Sequence, residues 1–380
     1  MTATFSLSAP REALLAAVDT TLRAVERRNT IPVLANLMFE RSDDRNLRVS
    51  GTDLDVVSTV ETAIPLAECP AEGVTLPAGL LSDILRKLPE KAEVKMASES
   101  GQMMKLTCGR SRFNLQTLPG EDWPRLEDTT SPDAELEVPA TRFAAMLAAV
   151  SFAISTEETR YYLNGVYMHS IEDRLVTVAT DGHRLARAVL PGPGNSAGPG
   201  VIIPRKTVDL VSRALAKAGA DATIAIGVSA NRISFEIGAQ RIVSKLIDGT
   251  FPDYERVIPA SNPNRWRFGV SALLEATERV SLVSSERGRA VKMTWGRESV
   301  SLEVQNPDTG QGEDSVEITC DEGDEVTIGF NAKYLADMLA HMDKAGEVRL
   351  ADGGSPARFA PVHNEDDEIE MTFVLMPMRV

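Results

Sequence analysis

The hydrophobic positions along the chain recur with a helical period in three separate segments. Apolar residues return every three or four positions over residues 11–26, 141–155 and 271–284. In the first segment, Leu14 and Val18 stand about one turn apart, as on the apolar stripe of an amphipathic helix. The three segments also begin at equal distances from one another along the chain. The pattern therefore predicts one helix in each of three tandem repeats.

A second helix is predicted in each repeat, directly after a short strand-like run. These strand–helix segments cover residues 74–89, 201–219 and 326–346. Pro77 and Pro204 stand at helix entries, where proline is tolerated. Gly219 and Gly346 stand where a C-terminal glycine cap is expected.

Alternating apolar and polar residues predict β-strands between and after these helices. The alternating segments are 47–61, 175–190 and 299–307, and the strands that close the repeats are 112–119, 241–249 and 371–380. The predicted fold is α+β, with three tandem domains that each contain two helices and an antiparallel sheet. The predicted domain ranges are 1–127, 135–258 and 259–380.

Composition narrows the class of protein. The chain has 380 residues, of which 43% are hydrophobic, enough for several packed cores. Cys69, Cys108 and Cys320 lie far apart and lack metal-ligand spacing, so neither disulfides nor zinc are expected. No apolar run approaches the ~20 residues that span a bilayer, and the first residues lack a signal-peptide pattern. These features predict a cytoplasmic protein with no membrane partner, metal or other cofactor.

The charge of the chain is unevenly distributed. A net charge of −15 argues against a surface that attracts nucleic acid everywhere. The second predicted helices are less acidic, and residues 205–219 carry four basic side chains against Asp209 alone. Such a helix suits a lining that binds phosphates without sequence preference, but it also suits an ordinary solvated helix face. Charge alone does not separate the two interpretations.

Motifs of the common enzyme classes are missing. The chain has no GxxxxGK[ST] phosphate loop, no GxGxxG and no HExxH. Asp181 and His183, in the segment TDGHRL, could act as an acid–base pair, although Asp-Gly is also a common turn between strands. Three hypotheses remain: a DNA-binding scaffold, a repeat scaffold that does not bind DNA and, least favoured, an enzyme that uses the Asp181–His183 loop.

Eight segments, in order along nearly the whole chain, resemble the bacterial sliding clamps, which are the beta subunits of DNA polymerase III. They are RNTIPVLANL (28–37), GTDLDV (51–56), GRSRFNLQTLP (109–119), TRYYLNG (159–165), ATDGHRLA (179–186), PRK (204–206), SKLIDGTFPDYERVIP (244–259) and MPMRV (376–380). Any one of these segments alone is weak evidence. Together, and in the same order, they identify the chain as a member of this family.

The resemblance implies a non-catalytic protein that makes a DNA polymerase processive. Two subunits of the three-domain clamp fold would join head to tail into a closed ring, with helices lining the hole and sheets outside. Double-stranded DNA would pass through the hole without sequence-specific contacts. The implied partners are a second copy of the chain, the clamp loader, the alpha subunit of DNA polymerase III, and other replication and repair proteins with clamp-binding peptides.

The resemblance also implies three sets of site residues. Those implied to contact DNA are Arg28, Arg86, Tyr161, Tyr162, Arg205 and Lys206. The subunit interface would join Ile84, Arg110, Arg112 and Phe113 of one subunit to Leu282, Val283, Glu313 and Asp314 of the other. A hydrophobic cleft for peptides with a QxxLxLF-like pattern would be lined by Leu163, Thr180, Gly182, His183, Arg184, Leu185, Pro252, Arg256, Val257, Val374, Met376, Pro377, Met378 and Arg379.

Overall fold

The chain divides into two compact units. The computed structural model describes residues 4–26, 30–98, 102–125, 132–192, 198, 200–284, 290–362 and 368–380. The first unit comprises Met1–Thr141 and Asp209–Leu246, and the second comprises Arg142–Val208 and Ile247–Val380. Arg28, one of the implied DNA contacts, lies outside the described residues.

The described part of each repeat contains two helices, as the hydrophobic pattern predicts. The helices are α1 (Arg11–Thr21), α2 (Ala78–Lys87), α3 (Ala140–Ser151), α4 (Arg205–Leu215), α5 (Val270–Ser281) and α6 (Ala332–Leu339). Asn331 caps α6, because its side-chain oxygen accepts from the backbone N–H groups of Lys333 and Tyr334 at 3.0 and 3.2 Å. A cap of this kind stabilises a helix by about 1 kcal/mol. None of the described helices combines the length and the apolar character that crossing a membrane requires.

The described strands are numbered in chain order. The first ten are β1 (Phe5–Pro10), β2 (Asn36–Arg41), β3 (Asn46–Thr52), β4 (Val56–Glu68), β5 (Val74–Pro77), β6 (Glu93–Ser98), β7 (Met103–Cys108), β8 (Ser111–Gln116), β9 (Leu118–Pro119) and β10 (Ala134–Pro139). The next seven are β11 (Gly165–Ile171), β12 (Arg174–Thr180), β13 (Arg184–Pro191), β14 (Val201–Pro204), β15 (Thr223–Val228), β16 (Arg232–Ile237) and β17 (Gln240–Lys245). The last eight are β18 (Asn264–Gly269), β19 (Ala290–Trp295), β20 (Ser299–Asn306), β21 (Gly310–Glu322), β22 (Val326–Asn331), β23 (Ala345–Leu350), β24 (Ala357–Pro361) and β25 (Glu370–Leu375).

The first unit is built on one antiparallel sheet that joins the first repeat to half of the middle one. Its main order is β10-β15-β16-β17-β4-β1-β6-β7-β8, and a branch from β4 runs β3-β2-β5-β9. The joint is the pairing of β17 with β4, in register from Gln240↔Val60 to Ser244↔Val56. The side-chain amide of Gln240 reinforces it by donating to the Ser58 hydroxyl at 3.0 Å.

The second unit is built in the same way from the rest of the middle repeat and the third. Its sheet runs β14-β11-β12-β13-β25-β24-β23-β18-β21-β20-β19-β22. The joint is the pairing of β13 with β25, in register from Arg184↔Leu375 to Val189↔Glu370. Strand pairing therefore splits the middle repeat between two units, because backbone N–H and C=O groups at the sheet edges find partners in the neighbouring repeat.

The predicted helix stripes form the cores. In the first unit, Leu14 and Val18 of α1 are fully buried together with Leu81 and Leu85 of α2 against Phe39 of β2. Burial of one such side chain contributes about 1.5–3 kcal/mol before entropic costs are subtracted. The amphipathic pattern thus correctly identifies which helix face turns toward the sheet.

The two glycine caps expected from the sequence are wrong. Helix α6 ends at Leu339, and Gly346 lies inside β23. The ring of Phe268 fills the space that a Cβ on Gly346 would occupy, so close packing explains this glycine. Helix α4 ends at Leu215, before Gly219.

Candidate functional site

A cavity of about 140 Å³ opens on the second unit. Its wall comes from four stretches of chain: the end of the 3₁₀ segment Glu158–Leu163, the turn from β12 into β13, the segment around residues 252–257, and the end of β25. The lining residues are Leu163, Thr180, Gly182, His183, Arg184, Leu185, Pro252, Tyr254, Val257, Val374 and Met376. The pairing of Leu185 with Val374 across β13 and β25 forms part of this wall. Most of the wall is apolar, which suits an apolar ligand.

Most of the residues that the resemblance implies for a peptide cleft meet in this cavity, but four of them do not line it. The Arg256 side chain is 85% exposed and forms an ion pair with Asp253 at 2.6 Å. Pro377, Met378 and Arg379 follow the cavity residue Met376, and the backbone N–H of Met378 donates to the Gly329 carbonyl at 2.8 Å. This bond joins the last residues to β22.

Tyr254 lines the cavity and was missed at the level of sequence. It lies in the 3₁₀ turn Tyr254–Val257, and its ring packs against the ring of Phe251. The segment that contains it, FPDYERV, offers a signal, because an aromatic residue between two predicted lining residues, Pro252 and Val257, is a natural wall residue.

The turn from β12 into β13 is held by its own side chains. The Asp181 carboxylate accepts from the backbone N–H groups of His183 and Arg184 at 2.9 and 3.0 Å. The Thr180 hydroxyl donates to the Arg184 carbonyl at 2.7 Å and accepts from the Gly182 N–H at 3.1 Å. Gly182 has φ +86°, a conformation that favours glycine. Asp181 therefore shapes a turn, and its carboxylate bonds backbone groups and Arg184 instead of forming an acid–base pair with His183.

Arg184 ties this turn to the third repeat. Its guanidinium donates to Asp181 at 3.1 Å, to Asp337 at 2.8 Å and to the Phe152 carbonyl at 2.9 Å. It also lies over the Tyr334 ring, 4.4 Å from the ring centre. Only 11% of the side chain is exposed. A planar guanidinium can serve all these partners at once, so Arg184 fixes the cavity wall in place.

Arg160 is a second residue that sequence reasoning missed. Its Nε and Nη2 groups donate to the Glu157 carboxylate at 2.8 and 2.7 Å. The guanidinium so held lies against Gly182, in the space where a Cβ would stand. Glu157 therefore has a positioning role. Arg160 brings a positive charge to the edge of the cavity.

A cluster of aromatic rings packs next to the cavity residue Tyr254. The rings of Tyr167 and His169 stack at 4.7 Å, and those of Tyr167 and Phe251 stack at 4.8 Å. His169 Nδ1 contacts the Ser170 carbonyl at 3.3 Å, and its Nε2 lies 2.9 Å from the Tyr254 hydroxyl. Because a carbonyl only accepts, we assign the proton to Nδ1, so Nε2 accepts from Tyr254. Burial raises the pKa of Tyr254 to about 12, which keeps this hydroxyl a donor.

The described residues implied to contact DNA lie on two surfaces. Arg86, in the last turn of α2 in the first unit, pairs with Asp19 at 3.0 Å. In the second unit, Tyr161 and Tyr162 belong to the 3₁₀ segment Glu158–Leu163, and Arg205 and Lys206 open α4. The backbone N–H of Arg205 donates to the Asn164 carbonyl at 3.0 Å, which places this segment beside the start of α4.

The residues implied for the subunit interface lie along strand edges and at one helix end. In the first unit, Arg112 and Phe113 belong to β8, which pairs with β7 and forms the end of the sheet in the described part of the chain. Arg110 lies in the turn before β8, and Ile84 is largely buried in α2.

In the second unit, Leu282 follows α5 and is 84% exposed. Val283 comes next, and Glu313 and Asp314 lie in the first half of β21. The Asp314 carboxylate accepts from Arg279 at 2.8 Å, and this hydrogen bond lowers the pKa of Asp314.

The described residues contain no group of side chains able to hold a metal ion. Cys69, Cys108 and Cys320 are free thiols. Burial raises the pKa of Cys69 to about 11, which keeps this thiol protonated and poorly reactive.

Three protein-family models match the chain in succession. They are the N-terminal, central and C-terminal domains of the DNA polymerase III beta subunit, and they match residues 5–127, 137–253 and 255–379. The chain belongs to the beta sliding clamp family. It is therefore a replicative clamp and not an enzyme, and the hypothesis of catalysis by the Asp181–His183 loop is wrong.

Sliding clamps of known sequence and structure match this chain over nearly its full length. The beta sliding clamp of Caulobacter vibrioides is 40% identical over 381 residues, covering 98% of this chain and 100% of the relative. The beta sliding clamp of Escherichia coli K12 is 34% identical over 372 residues, covering 97% of this chain and 98% of the relative. The crystal structure of a Bartonella birtlesii sliding clamp bound to griselimycin superposes with a TM-score of 0.93 at 36% identity, covering 99% of this chain and 100% of that one.

The His169 cluster predicts how stability depends on pH. Burial lowers the pKa of His169, so between the folded and unfolded pKa values the unfolded chain binds more protons. The stabilisation is complete above the unfolded pKa of about 6.5 and is lost as the pH falls through the folded pKa. We expect the denaturant midpoint of the second unit to fall more between about pH 7.5 and 5.5 for the wild type than for His169→Gln. Parallel falls in the two proteins would contradict this prediction.

Proposed function

We propose that two copies of the chain join head to tail into a ring around double-stranded DNA in the cytoplasm. On this proposal the ring tethers the alpha subunit of DNA polymerase III and other proteins that carry clamp-binding peptides, and it is loaded by the clamp loader. The observation that carries the tethering role is the apolar cavity of the second unit, where residues implied to bind peptides converge from four stretches of chain. A single adaptable cavity suits several partners in turn.

The subunit contact is supported by two strands with open edges. Within the described residues, strand β8 pairs only with β7, and the first half of β21, Gly310–Glu317, pairs only with β20. An open edge presents backbone donors and acceptors that a second chain can satisfy. Arg110 and Arg112 bring positive charge to one edge, and Glu313 and Asp314 bring negative charge to the other. Head-to-tail pairing of unlike edges closes into a ring when the rotation between subunits permits it.

The proposed DNA contacts are individually weak. Arg86 already pairs with Asp19, and a contact with phosphate would be made by an exposed side chain. We also propose Arg28, Tyr161, Tyr162, Arg205 and Lys206 as DNA contacts. Exposed cations bind phosphates without sequence preference and are screened by salt, which permits sliding. Topological closure, and not tight binding, would then keep the protein on DNA.

The test of the ring is retention on DNA of different topology. Labelled protein is loaded onto nicked circular DNA by the matching clamp loader with ATP, and half of the sample is linearised before gel filtration. We expect retention on circles and loss from linear molecules, because an encircling ring can slide off an end. Equal retention on both forms would indicate ordinary binding and would overturn the clamp mechanism. Loss from both forms, with a loader shown to work on a related clamp, would favour a scaffold that does not hold DNA.

The interface proposal makes its own prediction. Leu282 is apolar and almost fully exposed in the single chain. If a second subunit covers it, Leu282→Asp should raise the dimer dissociation constant at least about tenfold, since burying such a side chain contributes about 1.5–3 kcal/mol. Sedimentation velocity over a concentration series measures this constant. A dissociation constant unchanged by the substitution would remove Leu282 from the interface.

A further inference from the structure

Two arginines lie on the sheet directly beside the cavity. Arg358 of β24 stands opposite Val374 of β25, and Val374 in turn stands opposite Leu185 of β13. Arg187 is the second residue after Leu185 on β13. Both Leu185 and Val374 line the cavity. The two arginines therefore continue the row of residues that begins at the cavity wall.

Strand geometry places the two arginines on the same face as that wall. Directly paired residues of neighbouring strands project to one side, as do residues two apart along a strand. Neighbouring strands lie about 4.8 Å apart, and two residues along a strand cover about 6.7 Å. An extended peptide seated in the cavity would reach either arginine within about two or three further residues.

Among the described residues, no ion pair balances the positive charge of this pair. The nearby Arg349 and Arg265 both bond the Glu347 carboxylate, each at 2.7 Å. In the described part of the chain, by contrast, neither Arg187 nor Arg358 forms an ion pair within 4.0 Å. Arg187 Nε is buried and has no hydrogen-bond partner.

The acidic groups around the pair do not cancel it. Glu347 is already shared between two arginines. Glu370 stands opposite Val189, two residues beyond Arg187 on β13, and Glu255 lies on the exposed turn next to Tyr254. Burial, together with the positive charges of Arg349 and Arg187, lowers the pKa of Arg358. A half-buried guanidinium with positive neighbours, such as that of Arg358, suits a carboxylate that approaches from outside.

We propose that Arg187 and Arg358 form an anion-binding extension of the cavity, which selects partner peptides that carry carboxylates next to their apolar motif. The inference rests on the proposed role of the cavity in binding peptides. A peptide is favoured over nucleic acid as the ligand because only a peptide supplies apolar side chains for the adjoining cavity. The chain has a net charge of −15, so without a local cationic site it would repel acidic residues that flank the motif of a peptide.

The test compares two synthetic peptides of the pattern QxxLxLF. One has two glutamates on each side of the motif, and the other has two glutamines on each side. We expect wild-type protein to bind the glutamate peptide about five- to tenfold more tightly at low salt, as measured by fluorescence anisotropy. The preference should shrink at high salt, where the screening length falls from about 10 Å at 0.1 M to about 3 Å at 1 M.

Variants assign that preference to the two arginines. Arg358→Gln and Arg187→Gln should each reduce the preference severalfold, to about twofold or less, while affinity for the glutamine peptide stays the same. Arg358→Lys should retain part of the preference for the glutamate peptide. The matched control is Arg297→Gln, which removes the same charge from the exposed turn between β19 and β20.

The outcomes separate this inference from the function on which it rests. If wild type binds both peptides equally, or if the preference survives both glutamine variants, the anion site is refuted while the peptide cavity stands. If wild type binds neither peptide, the peptide cavity itself fails and this inference with it. If Arg358→Gln weakens binding of a short DNA duplex but not the preference between peptides, the site belongs to nucleic acid, which also refutes the proposal.

Discussion

Replacing Arg184 with alanine should destabilise the second unit by about 3 kcal/mol. The substitution removes a cation that is only 11% exposed, together with its hydrogen bonds to the carboxylates of Asp181 and Asp337 and to the Phe152 carbonyl. Breaking a buried ion pair by removing one partner costs more than the pair contributes, because the remaining charges stay desolvated. The contact with the Tyr334 ring is lost as well.

The measurement is denaturant unfolding followed by tryptophan fluorescence. The chain has three tryptophans, and two of them, Trp266 and Trp295, are fully buried in the second unit with their rings 5.8 Å apart. The third, Trp123, belongs to the first unit. Replacing Trp123 with phenylalanine in every protein compared makes the signal report on the second unit alone. We expect a lower midpoint for Arg184→Ala.

Two further variants give this prediction its controls. Arg184→Lys should recover only part of the stability, since an ammonium group cannot bond three partners in one plane. Arg256→Ala removes an arginine of the second unit whose ion pair with Asp253 is exposed, and it should leave the midpoint unchanged. An Arg184→Ala midpoint equal to that of Arg256→Ala would show that Arg184 does not hold the cavity wall.

Placing aspartate at the mouth of the cavity should abolish peptide binding. Val257 and Met376 line the cavity, yet each is more than a third exposed, so Val257→Asp and Met376→Asp should fold normally. A carboxylate there would be desolvated by an apolar peptide without gaining a partner, and the apolar contact would be lost as well. We expect the Kd for a QxxLxLF peptide to rise at least about tenfold for each variant.

The interface variant provides the matched control for this experiment. Leu282→Asp makes the same kind of change at an exposed apolar residue outside the cavity. It should weaken the dimer and leave the peptide Kd unchanged, whereas Val257→Asp and Met376→Asp should leave the dimer intact. Unchanged peptide affinity in both cavity variants would mean that peptides bind elsewhere on the chain.

The site illustrates the limits of local sequence signals. Thr180, Gly182 and Leu185 are close in sequence, and their Asp-Gly turn was predictable because Asp181 bonds backbone groups within its own turn. Tyr254 and Arg160 were missed because each has its role through residues distant in the sequence. Tyr254 lines the cavity together with residues from other stretches of chain, and Arg160 lies against Gly182. Gly346 shows the same limit, because only the distant ring of Phe268 explains it.

The sequence by itself determined the parts that depend on neighbours along the chain. These are the helices with their buried stripes, the strands, the threefold repeat, and the family, because helix and strand periods and ordered motifs are local properties. Only the tertiary structure decided how the repeats share their sheets. The pairings β17–β4 and β13–β25 join residues far apart in the chain, and local periodicity does not specify which distant edge satisfies a strand's backbone groups. The second of these pairings brings Leu185 to Val374, and so it creates both the cavity and the arginine pair beside it.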